Sequence, residues 1–182
     1  DGRINTRRRE HFALGSEPDP ESRGYCTGYM AGSYTTVFAN TRDAGILPVT
    51  ATGNEYVKSA VGSPACISSA VRVGAGYDDP AYGYTCGTGP VVPGAVTCFS
   101  NSSAFVDFIA PGNDVDAAGL LGYSGTSMAT PMVAGLAAVY QARYGSDALW
   151  TFERMRVDAV PMPEAYGDQP YIHRYIRMGD HD

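Results

Sequence analysis

The stretch Gly125-Thr126-Ser127-Met128-Ala129-Thr130-Pro131 places a serine in a glycine-flanked turn that opens a strongly apolar segment running to Tyr144. A helix beginning there leaves its first N–H groups unpaired and carries the positive end of the peptide dipoles. An anion formed beside Ser127 would therefore meet donors already in place. Gly125, Ala129 and Gly135 are small enough to let another chain approach closely. Pro131 is expected in or near the first turn, where its missing N–H costs nothing. The same string also suits a simple cap in front of a buried helix, so the rest of the chain has to decide.

Outward from that turn, Val133, Leu136, Ala137 and Val139 continue an almost uniformly apolar run that Gly145 stops, which predicts a central buried helix. A last helix is predicted from Ala148 to about Val157, and a closing strand over Tyr171 to Ile176 after an irregular stretch from Pro161. Upstream, Met30, Tyr34, Val37, Phe38 and Thr41 recur at three and four residues and predict an amphipathic helix closed by Gly45. Ile46-Leu47-Pro48-Val49 and Val71-Arg72-Val73-Gly74-Ala75 read as buried strands, and Phe12-Ala13-Leu14-Gly15 as a short strand. From Tyr77 to Ala95 glycine, proline and tyrosine dominate without periodicity, which predicts a surface loop. The alternation of strand and helix predicts an α/β fold with a mainly parallel sheet, as one unit over residues 1–182.

An apolar content of 44% with 18% charged residues is that of a globular domain and excludes disorder. A formal net charge of −6 argues against a nucleic-acid partner, which needs a basic face. Arg7-Arg8-Arg9 is the one basic run and reads as a solvated loop or chain end. No apolar run reaches the roughly 18 residues of a membrane span, and no signal-peptide core opens the chain, so a soluble protein is expected, its export signal outside this sequence. Cys26, Cys66, Cys86 and Cys98 lack the paired spacing of a zinc site. Disulfides are the reading favoured: Cys86 with Cys98 closes the Gly- and Pro-rich excursion and leaves Cys26 with Cys66, the alternative being buried thiols.

Gly125 to Gly135, read as GTSMATPMVAG, closely resembles the serine block of the subtilisin-like serine proteases, the subtilases. Ile46 to Glu55 (ILPVTATGNE) resembles the strand and turn that carry the family's oxyanion-hole asparagine, and Val96 to Gly112 (VTCFSNSSAFVDFIAPG) the pair of strands before its serine loop. The resemblance implies a three-layer subtilisin-like fold and a serine endopeptidase, secreted or periplasmic, acting on extended peptide or protein substrates. It makes Ser127 the nucleophile and Asn54 the donor that, with the Ser127 N–H, holds the oxyanion. Asn54 also fits an ordinary left-handed turn residue. By the same resemblance Ala13, Leu14 and Gly15 form a strand that pairs with substrate, while Ala51, Thr52 and Gly53 wall the opposite side of the pocket, with Glu55 at its rim.

The departures are as informative. In subtilases the catalytic order is Asp, His, Ser, yet no Asp-Ser/Thr-Gly strand end and no His-Gly-Thr helix start occurs in this sequence. Roughly the first third of the catalytic domain is therefore expected to lie outside this chain, as a missing N-terminal segment that supplies the base and its carboxylate. The alternative is a degenerate paralogue acting as a binding or scaffold module. Lys58, the only lysine, and His11 are the candidate substitutes for the base; Lys58 reads as solvated and His11 lies on the substrate-strand side. No cofactor is expected. Calcium binding is common in the family, but no acidic loop with ligand spacing stands out, and no metal site is assigned. An α/β-hydrolase esterase is excluded, because Ala129 stands where the Gly-x-Ser-x-Gly elbow needs glycine.

Overall fold

The computed structural model describes residues 29–78, 94–165 and 171–176. Within them the chain runs α1 (Tyr29–Asp43), β1 (Val49–Ala51), β2 (Val71–Gly76), β3 (Phe108–Pro111), β4 (Val115–Ala117), β5 (Leu120–Tyr123), α2 (Thr126–Tyr144), α3 (Ala148–Asp158), β6 (Val160–Pro163) and β7 (Ile172–Tyr175). Five strands form one sheet in the order β1-β2-β3-β7-β6. Its first three pairings are parallel and only β6 runs antiparallel. This is the α/β architecture with a mainly parallel sheet that the sequence predicts.

Period-two alternation splits the sheet into two faces. Val71, Val73 and Ala75 of β2, with Phe108 and Ala110 of β3, pack against Ala129, Val133, Leu136 and Ala137 of α2. Burying a valine or leucine contributes about 1.5–3 kcal/mol, so this contact dominates the core. On the opposite face Val61, Val96, Ile109, Met162 and Tyr175 form a second cluster. Tyr34 and Phe38 of α1 pack against Ile67 and Ala70, just before β2. Gly145, at φ 59°, closes α2 as expected.

Four expectations need correction. The strand expected at Ile46–Val49 begins only at Val49, because Pro48 has no N–H to give a ladder; its carbonyl instead accepts from Val71 N at 2.8 Å. The Val96–Gly112 window holds one strand, β3, plus a single antiparallel bridge between Gly76 and Val96. Pro131 lies inside α2 and not in its first turn. The helix starts at Thr126, so the bond that residue 131 would give to the Ser127 carbonyl is missing from the ladder. Finally, the start of the stretch expected to be irregular, Val160–Pro163, forms β6, an edge strand, where prolines are tolerated; residues 166–170 lie outside the described residues.

The hairpin β4–β5 precedes the serine turn, and its turn residues Ala118 and Gly119 both have positive φ. Leu121 and Tyr123 on it are exposed. Cys66 and Cys98 are buried and are not free thiols; Cys26 and Cys86 lie outside the described residues. Among the described residues no helix is long and apolar enough to cross a membrane.

Candidate active site

Ser127 is the second residue of α2 and half-buried. The turn before it is fixed by Gly125 N donating to Gly112 O at 2.8 Å, which ties the helix start to the end of β3. Gly112 must be glycine for this approach, since a Cβ there would run into Ala75 and the Gly125 carbonyl. Gly125 itself is extended (φ 162°, ψ 157°) and gives α2 no side-chain cap.

The cap comes from β1's side of the sheet. Asn54 Oδ1 accepts from Thr126 N at 2.9 Å and from Thr126 Oγ1 at 3.0 Å. Because the Thr126 N–H can only donate, the oxygen of the Asn54 amide must face it, and Nδ2 takes the other end. The Nδ2 group and the Ser127 N–H then front one small space: a Cβ placed on Gly125 would stand 3.5 Å from Asn54 Nδ2 and 3.7 Å from Ser127 N. Two nitrogens within 4 Å of one point, at the positive end of a long helix, lie where donors to a tetrahedral oxyanion would be needed. Left-handed backbone in this turn falls on Gly53 (φ 103°) and Tyr56 (φ 64°), so Asn54 is not serving as the left-handed turn residue.

Two residues that the sequence did not single out hold the pair in place. Thr126, fully buried, also accepts from Gly53 N at 3.3 Å, and so joins the Asn54 turn to the Ser127 helix through one hydroxyl. Asn101, likewise fully buried, braces the Asn54 turn. Its Oδ1 accepts from Glu55 N and Val57 N, each at 3.0 Å, and its Nδ2 donates to Thr52 O at 3.1 Å and to the Glu55 carboxylate. Backbone bonds add to this, Asn101 N to Gly53 O at 2.9 Å and Thr52 Oγ1 to Asn101 O at 2.8 Å. The only sequence signal was an asparagine flanked by serines in an otherwise unpatterned loop.

Thr52 is fully buried and its hydroxyl donates to Asn101 O. A Cβ on Gly53 would collide with the Glu55 carboxylate and the Asn101 amide. Glu55 is thus bound into the scaffold as well as placed near the turn. Ala13, Leu14 and Gly15 lie outside the described residues, as do His11 and His181.

Lys58 corrects an expectation: it is half-buried with its ammonium engaged, not solvated. Its Nζ donates to Thr97 O at 2.9 Å and Ser100 O at 2.8 Å and stands 3.5 Å from Glu164. Burial lowers its pKa, with Glu164 pulling it partly back. The apolar Tyr56-Val57 flank gave no hint of these carbonyls, which come from a distant loop. Glu164 in turn accepts from Ser102 Oγ at 2.6 Å and lies 3.7 Å from His173 Nε2. His173, the one histidine among the described residues, pairs with Met162 across β6–β7 and so belongs to the sheet face opposite α2. Among the described residues no three His, Cys, Asp or Glu side chains gather to hold a metal. Asp116 Oδ1 accepts from Gly122 N at 2.8 Å within the hairpin.

Comparison with known proteins bears on the family and the fold. The model of the subtilase family matches residues 13–167. Alkaline protease 1 of Aspergillus clavatus is 35% identical over 118 residues, which is 59% of this chain and 26% of that protein. Proteinase R of Parengyodontium album is 35% identical over 117 residues, 61% of this chain and 26% of that one. A cold-adapted subtilisin-like serine proteinase of known structure superimposes with a TM-score of 0.61 at 25% identity, covering 86% of this chain and 53% of that one. The chain thus spans about a quarter of the length of these curated relatives.

Proposed function

The chain belongs to the subtilase family, and from that premise we propose that it is the serine-bearing part of a secreted serine endopeptidase. The observation that carries this reading is the convergence of Asn54 Nδ2 and the Ser127 N–H on the space beside Gly125. In the reaction, Ser127 Oγ attacks the scissile carbonyl carbon while its proton passes to a general base. The carbonyl π electrons move onto oxygen, where the two N–H donors stabilise them. Collapse expels the amine, which takes the proton from the base, and leaves an acyl-Ser127. Water, deprotonated by the same base, then releases the acid.

The base and its orienting carboxylate come from an upstream segment of the same protease domain outside this chain. Lys58 is paired with Glu164 and donates to two carbonyls, and His173 stands on the sheet face opposite α2. Ala13, Leu14 and Gly15 pair with the extended substrate on one side, and Thr52 and Gly53 bound it on the other. Disulfides Cys86–Cys98 and Cys26–Cys66 fit a secreted protein, in keeping with described cysteines that are not free thiols.

Labelling with a fluorophosphonate tests the assignment. In the domain completed with its upstream sequence, peptide mapping should find the adduct on Ser127, and Ser127→Ala should abolish it. An adduct on another serine, or equal labelling of Ser127→Ala, refutes the reading.

A further inference from the structure

Four of the chain's few basic side chains line one cavity of about 310 Å³: Arg42, Arg72, Arg156 and Arg174, against the single carboxylate of Asp107. The chain as a whole carries a net charge of −6, so this concentration of guanidinium runs against its overall balance.

Two aromatic rings organise these cations. Arg42 and Arg156 both stack over Phe152, at 5.2 and 5.5 Å from the ring centroid, and Arg72 stacks over Phe105 at 5.5 Å. Stacking holds a guanidinium by its face and leaves its N–H edge for in-plane acceptors. Arg72 is committed: it binds Asp107 at 2.7 Å and the carbonyls of Ile67 and Ser68. Arg156 pairs with the exposed Glu153 at 3.2 Å, but its buried Nε–H has no acceptor. Among the described residues neither Arg42 nor Arg174 has a carboxylate partner.

The cavity is also separate from the serine centre. Its Arg72 and Asp107 stand at the amino-terminal ends of β2 and β3, whereas Asn54 and Ser127 follow the carboxyl ends of β1 and β3. Six residues of β2 rising ~3.3 Å each put roughly 15–20 Å between the two ends.

We propose that this cavity is an oxyanion site that takes a phosphate group. The forks of Arg42, Arg156 and Arg174 supply charge-assisted donors to its oxygens, and Arg72, neutralised by Asp107, forms the floor.

Isothermal titration calorimetry of the chain with inorganic phosphate, at constant ionic strength in chloride, tests it. One saturable site is expected, weakened at least about tenfold in the Arg42→Gln, Arg174→Gln double variant. That variant changes two side chains without carboxylate partners and should still melt cooperatively in phosphate-free buffer, losing only the Arg42 stack on Phe152. A phosphoserine peptide forms the second arm: tighter binding than inorganic phosphate assigns the site to a phosphorylated partner, and weaker binding assigns it to the free ion. Absence of saturable binding, or equal affinity in the double variant, overturns the proposal; the latter would mark a general salt effect.

Discussion

The side-chain oxygen of Asn54 accepts both the N–H and the hydroxyl of Thr126, at 2.9 and 3.0 Å, so the residue caps the serine helix from a different element of the fold. Gly125 supplies no cap of its own. One amide therefore satisfies the helix start with its oxygen and presents its nitrogen beside the Ser127 N–H. On the proposed mechanism, stability and chemistry are carried by opposite ends of the same group.

That division is separable by mutation. Asn54→Asp keeps an acceptor for Thr126 and adds a negative charge near a helix N-terminus, so the free energy of unfolding should stay within about 1 kcal/mol of the parent. The variant loses the Nδ2 donor, and turnover by the completed domain should drop about 100- to 1000-fold, the range known for the oxyanion asparagine of subtilisin itself. Asn54→Ala should lose both, with about 1–3 kcal/mol of stability. Urea melts beside peptide-hydrolysis rates check this, and a stable, fully active Asn54→Asp contradicts it.

Asn101 should matter to stability more than its surface setting in the sequence implies. Asn101→Leu leaves the N–H groups of Glu55 and Val57 without their acceptor, at a cost of about 3 kcal/mol or more. Amide exchange at those two positions should accelerate beyond the global change. Unchanged exchange there would show that the turn holds without Asn101.

Gly125→Ala tests the shape of the oxyanion space. The extended backbone at residue 125 accepts a side chain, and no atom lies closer than 3.5 Å to the added methyl, so the fold should survive. The methyl fills the space between the two donors, and turnover by the completed domain should fall about 100-fold or more. An alanine variant with parental turnover would place the oxyanion elsewhere.

Tyr140 gives a pH prediction. Burial, then its 2.7 Å hydrogen bond to Asp158 and that carboxylate's charge, push its phenol up to about 12 from 10.0. The folded state thus keeps a proton that the unfolded state releases, so this contribution is complete below pH 10 and is lost as pH rises through about 12. Tyr140→Phe should cost about 1 kcal/mol at pH 8, and the gap between the two proteins in urea should narrow from pH 10 upward. A gap independent of pH would show that the phenol is not coupled to folding.

The serine helix, its stop at Gly145 and the β2 strand were legible because each is written in local pattern: an apolar run, a left-handed glycine, alternating valines. The β4–β5 hairpin was not, since an Ala118-Gly119 turn lacks the usual Asn-Gly signal. The β6 strand was hidden by its own two prolines, which only an edge position permits. At the proposed site, Ser127 and Asn54 were singled out by motif, and the structure brings them near each other. Thr126, Asn101 and the enclosure of Lys58 were not legible, because each depends on partners between 39 and 106 residues away that no local window contains.

The central claim is that Ser127 is the nucleophile and that its base comes from outside this chain. Hydrolysis of a chromogenic peptide, measured for the chain alone and for the domain completed with its upstream sequence, each beside Ser127→Ala, tests it directly. The chain alone should match its Ser127→Ala background, and the completed domain should turn over at a rate that Ser127→Ala lowers about a millionfold, as found for the serine of subtilisin. Robust, Ser127-dependent turnover by the chain alone would contradict the external base, and turnover by the completed domain that survives Ser127→Ala would contradict the nucleophile.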